Sequence, residues 1–160
     1  IAEEFNISLY EAQRMIDAWF ARAPQAHDFI LKCRKAPLQG TTIVTTFGRK
    51  KRFGLVSRRN LKGLQNEAAN FPHQSIASDI TTCAAVKARK PLDSLGTFVV
   101  DLVHDEVLVE CPNLSRTIVK VKRVVVRALE DTPLEWGITR VPFRVDIKEG
   151  QRWGFLEETS

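Results

Sequence analysis

Thr97-Phe98-Val99-Val100-Asp101-Leu102-Val103-His104-Asp105-Glu106-Val107-Leu108-Val109-Glu110-Cys111 is the stretch that decides the fold. Two largely apolar runs, rich in β-branched residues, flank the short polar interruption His104-Asp105-Glu106. This pattern predicts an antiparallel hairpin with the polar residues at its tip. Because the flanking runs are nearly all apolar, the expectation is a buried hairpin that presents two carboxylates at one point. A hairpin tip holds side chains more rigidly than a free loop does. Carboxylate oxygens so placed suit Mg²⁺, which takes one or two protein carboxylates and completes its shell with water and substrate phosphates. Turn residues are also usually polar. The residues alone therefore leave a metal role and an ordinary turn both open.

Outward from the hairpin, helices are expected on either side. Downstream, a helix begins near Asn113 or Ser115 and runs to about Glu130, offering Ile118, Val119, Val125, Val126 and Leu129 for packing. Its valines lower its intrinsic helix propensity, so burial has to hold it. Pro133 and Gly137 mark a loop, Pro142 to Lys148 reads as a last strand, and the tail contains Trp153. Upstream, a long helix is expected from about Leu64 to Lys87. Pro72 falls inside it, removing an amide donor and kinking or restarting it.

Toward the N-terminus, Ser8 and Glu11 have capping-box spacing. Ala12, Met15, Ile16, Trp19 and Phe20 follow as one apolar helical face, broken at Pro24. A second helix is expected from about Gln25 to Lys35, ended by Pro37 and Gly40. Thr41 to Phe47 then reads as a strand, and Gly48 turns the chain into a basic return segment, Arg49-Lys50-Lys51-Arg52. A loop through Ser57 to Asn60 leads into the long helix. Helices packed on an antiparallel sheet make the expected class α+β.

The 160 residues suffice for one domain or parts of two, and 44% hydrophobic content is enough for a packed core. No run of ~18 apolar residues is present, so no membrane span is expected. The first residues, Ile1-Ala2-Glu3-Glu4, have no initiating Met and no signal-peptide pattern, which suggests a start inside a longer protein. Cys33, Cys83 and Cys111 are dispersed, and so are His27, His73 and His104. Zinc would need clustered ligands, so the cysteines read as reduced interior thiols, which fits a reducing, intracellular compartment.

Charge is segregated. Between Phe29 and Asn66 there is no Asp or Glu, while Lys32, Arg34, Lys35, Arg49, Lys50, Lys51, Arg52, Arg58, Arg59 and Lys62 all lie there. The net charge is +5, so the rest of the chain carries −5. A basic band of this kind fits a polyanion, because each cation that meets a phosphate releases a counterion. A solvated basic surface is the alternative reading.

Leu102-Val103-His104-Asp105-Glu106-Val107 resembles the His-Asp-Glu motif in the palm of family-A DNA polymerases. Four other stretches extend the resemblance, in the family's order and over essentially the whole chain. Asn70-Phe71-Pro72-His73-Gln74-Ser75-Ile76-Ala77-Ser78-Asp79-Ile80 is similar to the palm helix. Thr46-Phe47-Gly48-Arg49-Lys50-Lys51-Arg52 is similar to the hairpin between fingers and palm. Glu11-Ala12-Gln13, followed by Trp19-Phe20 and Pro24, resembles a fingers helix. Val141-Pro142-Phe143 with Gly150 and Trp153 resembles the closing strand and tail.

The resemblance implies a fingers portion over residues 1–55 and a palm portion over 56–160. It implies template-directed DNA synthesis with primer-template DNA and deoxynucleoside triphosphates as partners and Mg²⁺ as cofactor. Asp105 would be a metal ligand, with Glu106 supporting the metal site or primer end and His104 near the primer terminus. Asn70 and Gln74 would face the minor groove beside the new base pair, where base acceptors are read irrespective of sequence. Arg49, Lys50, Lys51, Arg52, Arg58, Arg59 and Lys62 would contact DNA phosphates or brace the fingers. His73, Asp79 and Trp153 are expected to be structural.

Asn66 departs from the pattern. The family often has Arg there, so a phosphate or base interaction is either missing or taken over by Lys62. The nucleotide-binding helix and the first acidic motif are expected ahead of Ile1, so the 160 residues by themselves are expected not to polymerise. The resemblance implies a cytoplasmic setting in a bacterial or phage-infected cell, with an organelle not excluded. Two other readings stand beside it: a non-catalytic DNA-binding domain, and a metal-dependent nuclease. The nuclease would need a further carboxylate cluster, which Asp17, Asp28, Asp79 and Asp93 do not supply by spacing. Nothing in the sequence sets an oligomeric state.

Overall fold

The computed structural model describes residues 2–158. It divides into two compact units, with the boundary between Ser75 and Ile76. Both are built from helices and small antiparallel ribbons, so the class is α+β as expected. Among the described residues the strands form three separate two-stranded pairs, not one sheet.

In the first unit, α1 spans Leu9–Arg22 and starts on the expected capping box. The Glu11 amide donates to Ser8 Oγ at 3.2 Å, and the Ser8 amide donates to Glu11 Oε2 at 3.0 Å. Helix α2, Pro24–Gln39, starts on a proline, whose missing N–H costs nothing at a first helical position. It outruns the expected end at Lys35 and contains Pro37. A proline in the last turn forfeits one bond only, and the end is then sealed. Gly40 takes a left-handed φ of 61°, and Thr41 N donates to Ala36 O at 3.1 Å. Trp19 packs edge-on against Phe20, and Phe20 stacks on His27 at 4.3 Å.

The strand expected over Thr41 to Phe47 shrinks to β1, Ile43–Val44, paired with β2, Lys50–Lys51. The reason is Thr45. Its amide donates to Arg49 O at 2.9 Å, its hydroxyl accepts from Arg49 N at 3.1 Å, and its carbonyl accepts from Gly48 N at 2.9 Å. A three-residue loop closes there, with Gly48 at φ 83°.

Helix α3, Leu61–Asp93, is longer than expected at both ends and passes through Pro72 and Pro91 without a break. Pro72 is buried within the helix, so its ring packs inside the unit although it supplies no amide donor. The turn before α3 is tied by Asn60, whose Oδ1 accepts from Ser57 N at 2.7 Å and whose Nδ2 donates to Leu55 O at 2.9 Å.

The second unit holds the last part of α3, the hairpin β3 (Phe98–Val103) and β4 (Glu106–Glu110), and α4, Ser115–Glu135. Ala88, Leu92 and Val121 form its buried center, and Leu95, Val99, Val109, Cys111, Val124, Val125 and Ala128 pack against them. Helix α4 runs past the expected end at Glu130. Thr132 and Pro133 are buried in its last turn, and Ile138 N donates back to Pro133 O at 2.9 Å. The strand expected over Pro142 to Lys148 does not form. Pairing begins only at β5, Lys148–Glu149, against β6, Glu157–Glu158.

The thiols are unpaired, with Cys33 buried and Cys83 and Cys111 half-buried. Burial pushes the Cys33 and Cys111 thiols up, as inert interior cysteines require. Among the described residues no helix is long and apolar enough to cross a membrane.

Candidate active site

The register places the acids. Val103 pairs with Glu106, so the loop is the two residues His104 and Asp105, and Glu106 is the first residue of β4. His104 has φ 57°, and among the described non-glycine residues only it and Asn6 take a positive φ. A positive φ at the first loop position and not the second is the φ signature of a type II′ hairpin turn, which normally takes Gly there. A histidine held so is strained, and strain of this kind gathers at functional sites. His104, Asp105 and Glu106 are all exposed.

The expectation of a buried hairpin needs correcting. Val99 and Val109 pack on the core, but Phe98 is 62% exposed and Val100 55%. A bulge explains the division. Val99 pairs with Val109, yet Asp101 pairs with Leu108, so Val100 is an extra residue in β3. The slip carries Asp101 onto the face of Leu108 and Glu106, away from the core. Its Oδ1 accepts from the Leu102 amide at 2.8 Å. Sequence reasoning passes over Asp101; the one signal for it is an acid inside an otherwise apolar run.

Asp105 and Glu106 are thus consecutive acids at a short two-residue turn, Asp105 in the loop and Glu106 at the start of β4. Their chemistry suits part of a Mg²⁺ shell. Among the described residues no three His, Cys, Asp or Glu side chains gather to complete one.

The other expected residues lie in the first unit. Asn66, Asn70 and Gln74 recur every four residues on α3 and are exposed along one face. His73, exposed, meets Phe29 edge-on, with ring centroids 5.7 Å apart. In the basic band, Lys50, Arg52, Arg58, Arg59 and Lys62 are exposed. Lys51 is committed elsewhere: its Nζ meets Glu67 Oε2 at 2.7 Å. Arg49 is exposed at the loop end. Arg34, on α2, donates from Nη2 to Asn66 Oδ1 at 3.4 Å.

Comparison with known proteins decides the family. The family model described as DNA polymerase family A matches residues 1–155. The chain belongs to DNA polymerase family A. This family-A chain is 31% identical over 158 residues to DNA polymerase I of Caldicellulosiruptor bescii, covering 96% of the chain and 18% of that protein. It is 28% identical to DNA polymerase theta of Caenorhabditis elegans, covering 98% of the chain and 10% of the relative. It is also 28% identical to DNA polymerase I A, chloroplastic/mitochondrial, of Arabidopsis thaliana, over 96% and 15% respectively. Among solved structures, the polymerase domain of Pol1 from M. smegmatis, in complex with DNA primer-template and dNTP, matches with a TM-score of 0.68 at 22% identity. That likeness in fold covers 82% of the family-A chain and 24% of the other. The family-A chain therefore spans less than a fifth of these curated relatives and about a quarter of the matched structure.

Proposed function

We propose that this chain provides one of the carboxylate motifs and part of the DNA-binding surface of a DNA-directed DNA polymerase. The observation that carries the reading is the two-residue turn that presents Asp105 beside Glu106, in a chain of family A. The matched polymerase domain from M. smegmatis is in complex with DNA primer-template and dNTP. The same partners are proposed here. Residues 1–55 would belong to the fingers and 56–160 to the palm, as the resemblance implies.

In the proposed reaction the primer 3′-hydroxyl attacks the α-phosphate of a deoxynucleoside triphosphate in line, and pyrophosphate leaves. Asp105 and Glu106 would hold Mg²⁺, which when bound neutralises charge on the reacting phosphates. His104 sets the turn that aims Asp105. Asn70 and Gln74 offer uncharged donors and acceptors to the minor groove. The exposed cations of the band hold the backbone without reading sequence. The remaining ligands of the metal site are assigned to the other acidic motif of the family, so residues 1–160 alone would not support synthesis.

The test is primer extension by the intact protein, with Mg²⁺ and four deoxynucleotides. Incorporation that follows the template sequence is expected. Duplex binding without incorporation would favor a non-catalytic DNA-binding domain, and shortening of the DNA would favor a nuclease.

A further inference from the structure

We infer that Arg34 is a phosphate-contacting residue of the DNA path, set in position by Asn66. This rests on the polymerase reading above and extends it to a residue outside the family motifs. The sequence offers Lys62, one turn earlier on the same helix, as the replacement for a cation missing at position 66. The structure supplies one from a different element. Arg34, on α2, reaches α3 and donates to the Asn66 side-chain oxygen at 3.4 Å. A guanidinium is thereby brought to α3 at residue 66, about 6 Å along the axis from Asn70.

The chemistry of the partner matters. Asn66 is neutral, so the hydrogen bond orients the guanidinium without cancelling its charge. One of five N–H groups is used, and the rest of the planar fork stays able to take two phosphate oxygens together. Lys51 shows the opposite case in the same unit, because Glu67 pairs with its charge at 2.7 Å. Among the described residues no carboxylate forms an ion pair with Arg34, and its side chain lies on an exposed part of α2. A cation held in place before binding loses less freedom when the ligand arrives. The ligand this arrangement fits is a phosphodiester backbone beside the bases that Asn70 and Gln74 face.

The experiment is a duplex primer-template titration of the intact protein by fluorescence anisotropy at several salt concentrations. Arg34→Gln is expected to weaken binding at low salt about fivefold and to lower the slope of log affinity against log salt by ~0.9, one phosphate's share. Asn66→Asp should lower the slope similarly without touching Arg34, by pairing it with a carboxylate. Arg34→Gln combined with Asn66→Arg should restore the slope, which a purely structural role for Arg34 does not predict. Melting temperatures identify any variant that fails to fold, and Asn66→Asp then decides alone. Parental slopes in both single variants would overturn the inference. Failure of the parent itself to extend a primer would overturn the polymerase reading instead, so the two failures are separable.

Discussion

Val103 pairs directly with Glu106 across β3 and β4, leaving His104 and Asp105 as the whole connection between the strands. A loop this short gives Asp105 little freedom, and the positive φ falls on His104. A β-branched residue tolerates that backbone poorly. His104→Val should destabilise the protein by about 1 kcal/mol, while His104→Gly should stay near the parent. Thermal melting of both variants checks this. Equal melting temperatures would mean that the turn does not hold residue 104 at positive φ.

The basic band is not uniform in the folded chain. Neutralising Arg49, Lys50, Lys51 and Arg52 together should weaken DNA binding for all sequences alike and flatten its salt dependence, by ~0.9 for each phosphate no longer neutralised. Lys51 should contribute least, since Glu67 already pairs with it. Lys51→Gln is therefore expected to change the slope less than Lys50→Gln, and Glu67→Gln should strengthen binding. Equal slope losses for the two lysines, read by titration at several salt concentrations, would refute the assignment.

The capping box of α1 carries a pH dependence. Hydrogen bonds from the Ser8 hydroxyl and then the Ser8 amide hold the Glu11 carboxyl below the usual carboxylate range. A depressed carboxylate stabilises the fold above its unfolded value, and the effect is lost as pH falls through the folded value. Amides of the first turn of α1 should therefore lose protection on acidification below the ordinary carboxylate range. Ser8→Ala should cost about 1 kcal/mol of helix stability and remove most of that dependence. Hydrogen exchange, corrected for intrinsic pH effects, reads both; an unchanged profile in Ser8→Ala would contradict it.

Features set by neighbors in sequence are legible in advance. Ser8 and Glu11 announce the start of α1, and the Asp105 hairpin follows from two apolar runs around a polar break. Features set by tertiary packing are not. Pro72 and Pro133 have the local character of breaks, yet both lie buried in helices that continue through them. Pro142 to Lys148 has strand composition, but among the described residues no partner strand pairs with it before Lys148. The bulge at Val100 leaves no composition signal, and the acid at Asp101 inside an apolar run is the one sign that the register slips there. The Arg34–Asn66 hydrogen bond joins positions 32 residues apart, beyond any local pattern.

The central claim is that Asp105 acts at the reacting phosphates. Asp105→Asn keeps the shape of the side chain and removes the charge that would hold a metal. The direct measurement is primer extension by the intact Asp105→Asn protein, run beside a DNA-binding titration of the same preparation. Loss of synthesis with duplex affinity near the parent's is the expected result, and Glu106→Gln should lose less. Near-parental synthesis by Asp105→Asn would contradict the account.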